Sequence, residues 1–367
     1  MTITNNKVLI AWLFSIFVTL WFLRSDNTEC ATELKSNLKY HQQSYSSGEK
    51  ANNDVTIVID DVVDINRRSP IIFVGGVPRS GTTLMRALLD AHPDIRCGQE
   101  TRIVPQVLFA RHEWSRLEPN KKRLKLEGLT DEMLDSATSA LMFDIISKHG
   151  KPAKHLCNKD PLVLTLTTRM KRIFPYSKYI LMIRDGRAVI HSMITRKVTV
   201  GGFDLQNFAA SMSKWNTMIR AMYSECILVG PRVCMPVYYE ELILKQEKSM
   251  RRIFEFLDIP FDGAVLRHEE FVGDEIVLSN VEPSTNQVVK AVNADALSKW
   301  VGKIPMDVEE SMDSIAPMLR LLGYDSMEAS SNYTSLDGRS LQFEKNIEIF
   351  LKYANNTNID IEKALGL

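Results

Sequence analysis

The chain has 367 residues, 45% of them apolar and 25% charged, with 45 basic against 45 acidic side chains. That is ordinary globular composition, with room for one large domain or two smaller ones. A formal net charge of zero excludes whole-surface attraction to a polyanion, so any basic site must be local.

After a short tail, 1–7, residues 8–23 read VLIAWLFSIFVTLWFL, without a charge, between Lys7 and Arg24. As a helix this run rises roughly 24 Å at ~1.5 Å per residue. That is short for a ~30 Å hydrocarbon core and suits the thinner membranes of the early secretory pathway. A cleaved signal peptide is the alternative, but Trp21, Phe22 and Arg24-Ser-Asp-Asn offer no small-x-small cleavage site. The expectation is one transmembrane signal anchor, with 1–7 cytoplasmic and the bulk of the chain lumenal. Residues 24–68 are polar, with HQQSYSSGEKANND in the middle, and read as a flexible stem.

From residue 69 the pattern changes. IIFVGGV (71–77) precedes the helical pattern TTLMRALLDAH (82–92), and HLCNK (155–159) precedes LVLTLTTRMKRIF (162–174). KYILMIR (178–184) precedes GRAVIHSMITRK (186–197), and VCMPVYY (233–239) precedes KSMRRIFEFLDI (248–259). The strand candidates are continuous apolar runs, as strands buried on both faces are. Strand, loop and helix in repetition predict an α/β fold, a parallel sheet flanked by helices. Two longer helices are expected, one capped by Thr130 and ending at Gly150, the other from about Asn207 to Val229. Residues 69–325 are read as the catalytic domain and 326–367 as a polar appendage.

The chemistry begins at the first strand. Gly75 and Gly76 open Gly-x-x-x-x-Gly-Thr-Thr, nearly the phosphate-cradling Gly-x-x-x-x-Gly-Lys-Ser/Thr, with Thr82 in the lysine's place. Backbone N–H groups and a helix N-terminus still favour an anion there. Arg79 supplies charge and Thr82 and Thr83 supply hydroxyls, which suits a single 5′-phosphate better than a triphosphate with magnesium. No aspartate-ended strand offers a Mg²⁺ site, and no metal is expected. A second constellation, Arg184 at a strand end with Ser192 and Arg196 on the next helix, faces the carboxyl edge of the sheet and can grip a second phosphate. Two phosphate sites without the triphosphate lysine describe 3′-phosphoadenosine-5′-phosphosulfate. The four cysteines outside the stem, Cys97, Cys157, Cys226 and Cys234, allow three pairings, and Asn332-Tyr-Thr and Asn355-Asn-Thr are glycosylation sequons.

Five stretches, VGGVPRSGTTLMRALLDAHPDIRCGQETRIVPQVL, CNKDP, LMIRDGRAVIHSMITRKVTVGGFDL, PVYYEEL and STNQVVKAVN, resemble the tyrosylprotein sulfotransferases, over roughly residues 68–325. The resemblance implies a P-loop, nucleotide-kinase-like fold and a homodimeric type II protein of the trans-Golgi. It implies transfer of sulfate from 3′-phosphoadenosine-5′-phosphosulfate to tyrosines in acidic stretches of secreted proteins. Glu100 matches the catalytic base, and Lys159 and Ser284 match the groups that stabilise the transition state. Arg79, Ser80, Gly81, Thr82 and Thr83 match the 5′-phosphosulfate loop, and Arg184, Ser192 and Arg196 the 3′-phosphate side. Tyr239, Lys299 and the stretch Ser284, Thr285, Asn286, Gln287, Val288, Val289, Lys290, Ala291, Val292 and Asn293 match the other nucleotide contacts. Arg102, Ile103, Val104, Pro105 and Gln106 match the acceptor side. The pairing implied is Cys97 with Cys157 and Cys226 with Cys234, leaving Cys30 in the stem. Two positions depart from the pattern: Gln106 stands where an arginine is usual and Ala291 where a proline is common. Read from residues alone, Glu100 would cap a helix starting near Thr101 and Lys159 would pair with Asp160. A carbohydrate sulfotransferase and an inactive nucleotide-binding scaffold are the competing readings.

Overall fold

A computed structural model describes residues 68–273, 276–279, 288–290, 292, 294–324, 333, 343 and 345–348. The 8–23 run, the stem up to residue 67 and the asparagines of both sequons lie outside the described residues. Among the described residues, no helix is long and apolar enough to cross a membrane.

The apolar runs form the expected sheet. β1 (Ile71–Gly76), β3 (His155–Lys159), β4 (Lys178–Ile183) and β5 (Cys234–Tyr238) are joined by a two-residue β2 (Ile95–Arg96). The order is β2-β3-β1-β4-β5, and every pair is parallel. β1 is therefore central. Its carboxyl end sits where the chain runs to β2 and β3 on one side and later to β4 and β5 on the other, the place where open α/β sheets bind ligands. β2 escaped the sequence reading because two residues carry no periodicity.

Continuous apolar strands are explained by burial on both faces. Ile71 and Phe73 enter one core with Tyr179, Leu181 and Ile183, while Ile72 and Val74 enter the other with Ile180 and Met182. Helices α1 (Thr82–Asp90) and α9 (Gln246–Leu257) cover the second face through Met85, Leu88, Ile253 and Phe254. The first face packs against α2 (Ile103–Arg116), α4 (Asp131–Lys148) and α7 (Phe208–Val229), with α3 (Glu118–Leu126) between α2 and α4 in the chain. Thr130 caps α4 by accepting the Met133 N–H at 3.3 Å, and Asn207 caps α7 by accepting that of Ala210 at 2.9 Å. Gly230, with φ 86°, ends α7.

Three expectations are corrected. The helix expected over 162–174 is split into a 3₁₀ segment, Pro161–Leu166, and α5 (Thr167–Ile173). The 3₁₀ segment lays Leu164 so close to β1 that a Cβ on Gly75 would meet its Cγ at 2.7 Å. The helix expected over 186–197 stops earlier: α6 is Gly186–Thr195, with Arg196 as its C-cap. Nor is the stretch after 325 simply an appendage. Tyr333, Phe343 and Ile347 are buried in the first core, Phe343 edge-on to Tyr223 at 5.5 Å. The Asn346 amide donates to the Tyr223 hydroxyl at 3.1 Å. Phe343 and Ile347 stand four apart in LQFEKNIEIFLKYANN (341–356), the one stretch there that reads as amphipathic, whereas Tyr333 has no such signal and only its burial reveals it.

Both implied disulfides, Cys97–Cys157 and Cys226–Cys234, are present. The second clamps the end of α7 to the start of β5. The first joins the segment after β2 to β3.

Candidate active site

The loop after β1 is shaped by close approach. A Cβ on Gly81, at φ 102°, would lie 2.4 Å from the Tyr239 ring, so only glycine fits against that side chain. Arg79 adopts φ 76°, a conformation costing a non-glycine residue roughly 1–3 kcal/mol. What holds it is a set of contacts on both sides. Its Nε donates to Ser192 Oγ at 3.1 Å, and its carbonyl accepts from an Arg184 guanidinium nitrogen at 3.1 Å. The Arg184 guanidinium lies 4.3 Å from the centroid of the Tyr239 ring and also donates to the Ala296 carbonyl at 3.2 Å. The loop, the end of β4 and α6 are thus interlocked.

The electrostatics favour an anion. Burial, then the neighbouring charges of Arg196 and Arg184, pull the Arg79 guanidinium down to about 10. It stays charged at neutral pH while crowded by like charges, a repulsion that an anion relieves. The Ser80 hydroxyl and Arg184 Nε are buried without a hydrogen-bond partner among the described residues. Unpaired buried donors are costly, and these lie at the two places where the sequence reading expects phosphates. The residues present therefore fit a nucleotide carrying two anionic groups.

Two cavities flank the interlock. The larger, about 280 Å³, is lined by Arg79, Thr82, Thr83, Glu100, Arg102 and Gln106, among others. The smaller, about 70 Å³, is lined by Arg184, His191, Ser192, Arg196, Lys299 and Trp300, among others. The 5′- and 3′-side residues are thereby brought to adjoining sites, bridged by the Arg79–Ser192 bond.

Glu100 stands on the wall of the larger cavity, between two cations. Its Oε2 accepts from Lys159 Nζ at 2.6 Å and its Oε1 from Arg102 Nε at 3.0 Å. Lys159 is fully buried at the end of β3, whereas the Arg102 side chain is 73% exposed. Residue-only reading put Glu100 at a helix cap and Lys159 against Asp160; here the two pair with each other. α2 begins at Ile103, and Arg102 precedes it with φ 60°. That turn is held by the Arg102 backbone N–H, which donates to Asp160 Oδ1 at 3.0 Å. Asp160 also accepts from the Asn158 amide at 3.3 Å. Burial, then the charge of Glu100, raises the Asp160 carboxyl to about 7. Asp160 was missed as a site residue although it stands in the quoted CNKDP motif.

On the acceptor side, Pro105 and Gln106 line the larger cavity and Ile103 is exposed, but the Val104 side chain is buried in the core and cannot touch an acceptor. Ser284, Thr285, Asn286, Gln287, Ala291 and Asn293 lie outside the described residues. Val288 is buried in the second core, its carbonyl 3.0 Å from His268 Nε2, while Val289 and Lys290 are exposed and Val292 is half-buried.

A parallel sheet with a lysine-less phosphate loop defines a class, and the comparisons give it a name: residues 70–263 match the model of the sulfotransferase family. The sulfotransferase domain of the Synechococcus PCC 7002 olefin synthase superposes with a TM-score of 0.51 at 25% identity, over 70% of this chain and 95% of that one. Protein-tyrosine sulfotransferase 1 of Danio rerio is 55% identical over 270 residues, 73% of this chain and 76% of its own. Protein-tyrosine sulfotransferase A of Caenorhabditis elegans is 46% identical over 339 residues, 91% of this chain and 88% of its own. The chain belongs to the protein-tyrosine sulfotransferase family.

Proposed function

We propose that the chain transfers a sulfuryl group from 3′-phosphoadenosine-5′-phosphosulfate to tyrosine hydroxyls in acidic stretches of proteins. Beside family membership, the observation that carries this reading is the Glu100–Lys159 pair, 2.6 Å apart, whose carboxylate lines a cavity shared with the phosphate loop while the lysine is buried behind it. A base and a buried cation side by side are what in-line transfer to a weak nucleophile requires. The donor, when bound, supplies an activated sulfuryl group on a good leaving group. Thr82, Thr83 and the backbone after Arg79 hold its 5′ side, and Arg184, Ser192, Arg196 and Lys299 its 3′ side. Glu100 takes the proton of the tyrosine hydroxyl, whose pKa near 10 makes it a poor nucleophile unaided. Lys159 Nζ neutralises the charge that builds on the departing oxygen, and its burial strengthens that interaction. Ser284 adds a second donor there.

Arg102, just before α2, and Gln106, in its first turn, both line the larger cavity, face the acceptor and account for a preference for acidic neighbours. Residues 8–23 anchor the enzyme in a Golgi membrane with the catalytic domain lumenal, and the protein acts as a homodimer. The two disulfides suit that oxidising lumen.

The test is transfer of labelled sulfate from the donor to an acidic tyrosine peptide and, in parallel, to heparan. Incorporation into the peptide alone is expected. Labelling of heparan alone would turn the reading to a carbohydrate enzyme, and no labelling of either to a scaffold.

A further inference from the structure

Tyr333 lies in the C-terminal stretch that composition sets apart, yet its ring is buried and packs edge-on to Tyr324 at 6.3 Å. Its hydroxyl donates to Asp185 Oδ2 at 2.9 Å and accepts from the Trp300 indole N–H at 3.1 Å. Trp300 lines the small cavity, and Asp185 is the chain neighbour of Arg184, which also lines it. Asp185 follows Arg184 and caps α6, the helix that carries Ser192, by accepting the Arg187 backbone N–H at 2.9 Å. It also holds the Arg187 guanidinium through contacts of 3.0 and 2.8 Å. Trp300 follows Lys299, lines the cavity, and lies 4.3 Å under the Arg187 guanidinium. The Asp185 backbone N–H donates to Glu240 Oε1 at 2.9 Å, and Glu240 Oε2 accepts from Tyr324 at 2.8 Å. One phenol thus joins the β4–α6 turn beside the cavity to Trp300 in its lining.

We infer that Tyr333 is a positioning residue for the 3′-phosphate of the donor, tying the C-terminal segment into the nucleotide site by fixing Asp185 and Trp300. The inference rests on the proposed assignment of the small cavity to that phosphate. Without the phenol, Asp185 loses one of its donors and Trp300 its acceptor, and Arg184, Ser192 and Lys299 are carried on backbone that is less constrained. Burial, then the charges of Asp185 and Glu240, push the Tyr333 hydroxyl far above its ordinary range, so the phenol remains a donor across the physiological span.

Tyr333→Phe removes the hydroxyl and keeps the ring. The measurement compares calorimetric affinities for adenosine 3′,5′-bisphosphate and adenosine 5′-monophosphate, which lacks the 3′-phosphate. The variant is expected to bind the bisphosphate about tenfold more weakly, the scale of one hydrogen bond to a charged acceptor. Its affinity for the monophosphate should move less than about twofold, by the same reasoning. In turnover assays the donor KM should rise with the peptide KM unmoved. Equal losses for both nucleotides, or none for either, overturn the inference, because a merely structural tyrosine has no reason to discriminate between them. Arg184→Ala is run alongside. If Arg184→Ala loses bisphosphate affinity and Tyr333→Phe does not, only the inference falls; if Arg184→Ala also binds the bisphosphate normally, the assignment of the cavity falls with it. Should Tyr333→Phe fail to fold, Trp300→Phe, which removes the indole donor to the same phenol, decides by the same comparison.

Discussion

In the proposed mechanism Glu100 is the base, and its contacts with Lys159 and Arg102 differ in burial. Lys159 is fully buried and Arg102 largely exposed, so the contact with Lys159 is the better shielded from solvent. Glu100→Ala should lower turnover by roughly 10²–10⁴-fold, the usual loss for one general base. Binding of adenosine 3′,5′-bisphosphate should survive, because the proposed mechanism has Glu100 act on the acceptor. Turnover within a few-fold of wild type would remove Glu100 from the role. Beside it, Asp160 titrates at about 7, above its ordinary 3.8. The folded chain then binds a proton over a window where the unfolded chain does not. The contribution of Asp160 to stability must therefore rise as pH falls from about 7 towards the ordinary carboxylate range, and the cost of the buried charge is felt in full above that window. Asp160→Asn should abolish this slope, which is at most about 1.4 kcal/mol per pH unit. Urea unfolding of both proteins across that range checks it, and parallel curves would sink the idea. Glu100, Lys159 and the loop residues were legible in the sequence because they stand in dense motifs. Asp160 stood in one too, but its role comes from burial and from the Arg102 backbone N–H beyond the neighbouring strand β2, which no spacing reveals.

Among elements, the disulfides and the α2–α4 clasp do the tying. Cys97–Cys157 closes 60 residues and Cys226–Cys234 only 8. On chain-entropy grounds the first stabilises by about 4 kcal/mol and the second by about 2–3 kcal/mol. The clasp is ionic. Arg111, fully buried on α2, reaches Asp131 and Asp135 on α4, each at 2.7 Å. Asp131 is 48% exposed and contributes little, whereas Asp135 is only 10% exposed. Arg111→Ala should destabilise the fold by about 3 kcal/mol, the lower end for breaking a buried pair, because Arg172 still reaches Asp135 at 2.9 Å. Chemical denaturation measures it, and a loss under about 1 kcal/mol would show the clasp to be incidental. The central strands were readable because burial on both faces writes an unbroken apolar run. β2 and the 3₁₀ segment were not: one is too short for a period, and the other is set by the fit of Leu164 against Gly75.

For the molecule as a whole, equal numbers of acids and bases mean that attraction for acidic acceptors must arise at the cavity rim. Arg102 and Gln106 both line it, and only the first is charged. Gln106→Arg should make activity depend more steeply on acidic residues around the tyrosine, by a few-fold at low salt, in keeping with about 0.2–1 kcal/mol for an exposed pair. Peptides carrying none, two and four acidic neighbours measure the slope, and an unchanged slope would place position 106 outside the acceptor groove. The parallel architecture was readable across the chain, but its C-terminal extent was only partly so, since Phe343 and Ile347 fall at helical spacing while Tyr333 declares itself only by packing. The bridge from Cys97 to Cys157 has a further consequence. It fastens the segment bearing the base to the strand bearing the lysine, three residues from Glu100 and two from Lys159. Opened to thiols, the base would be kept near the lysine by non-covalent contacts alone. Catalysis should then fail under a mild reductant such as dithiothreitol while the helical signal persists, and return on reoxidation. Activity and structure lost together would refute this. The chain would be latent wherever its surroundings are reducing, so tyrosines met there would be spared before any address on the protein is read.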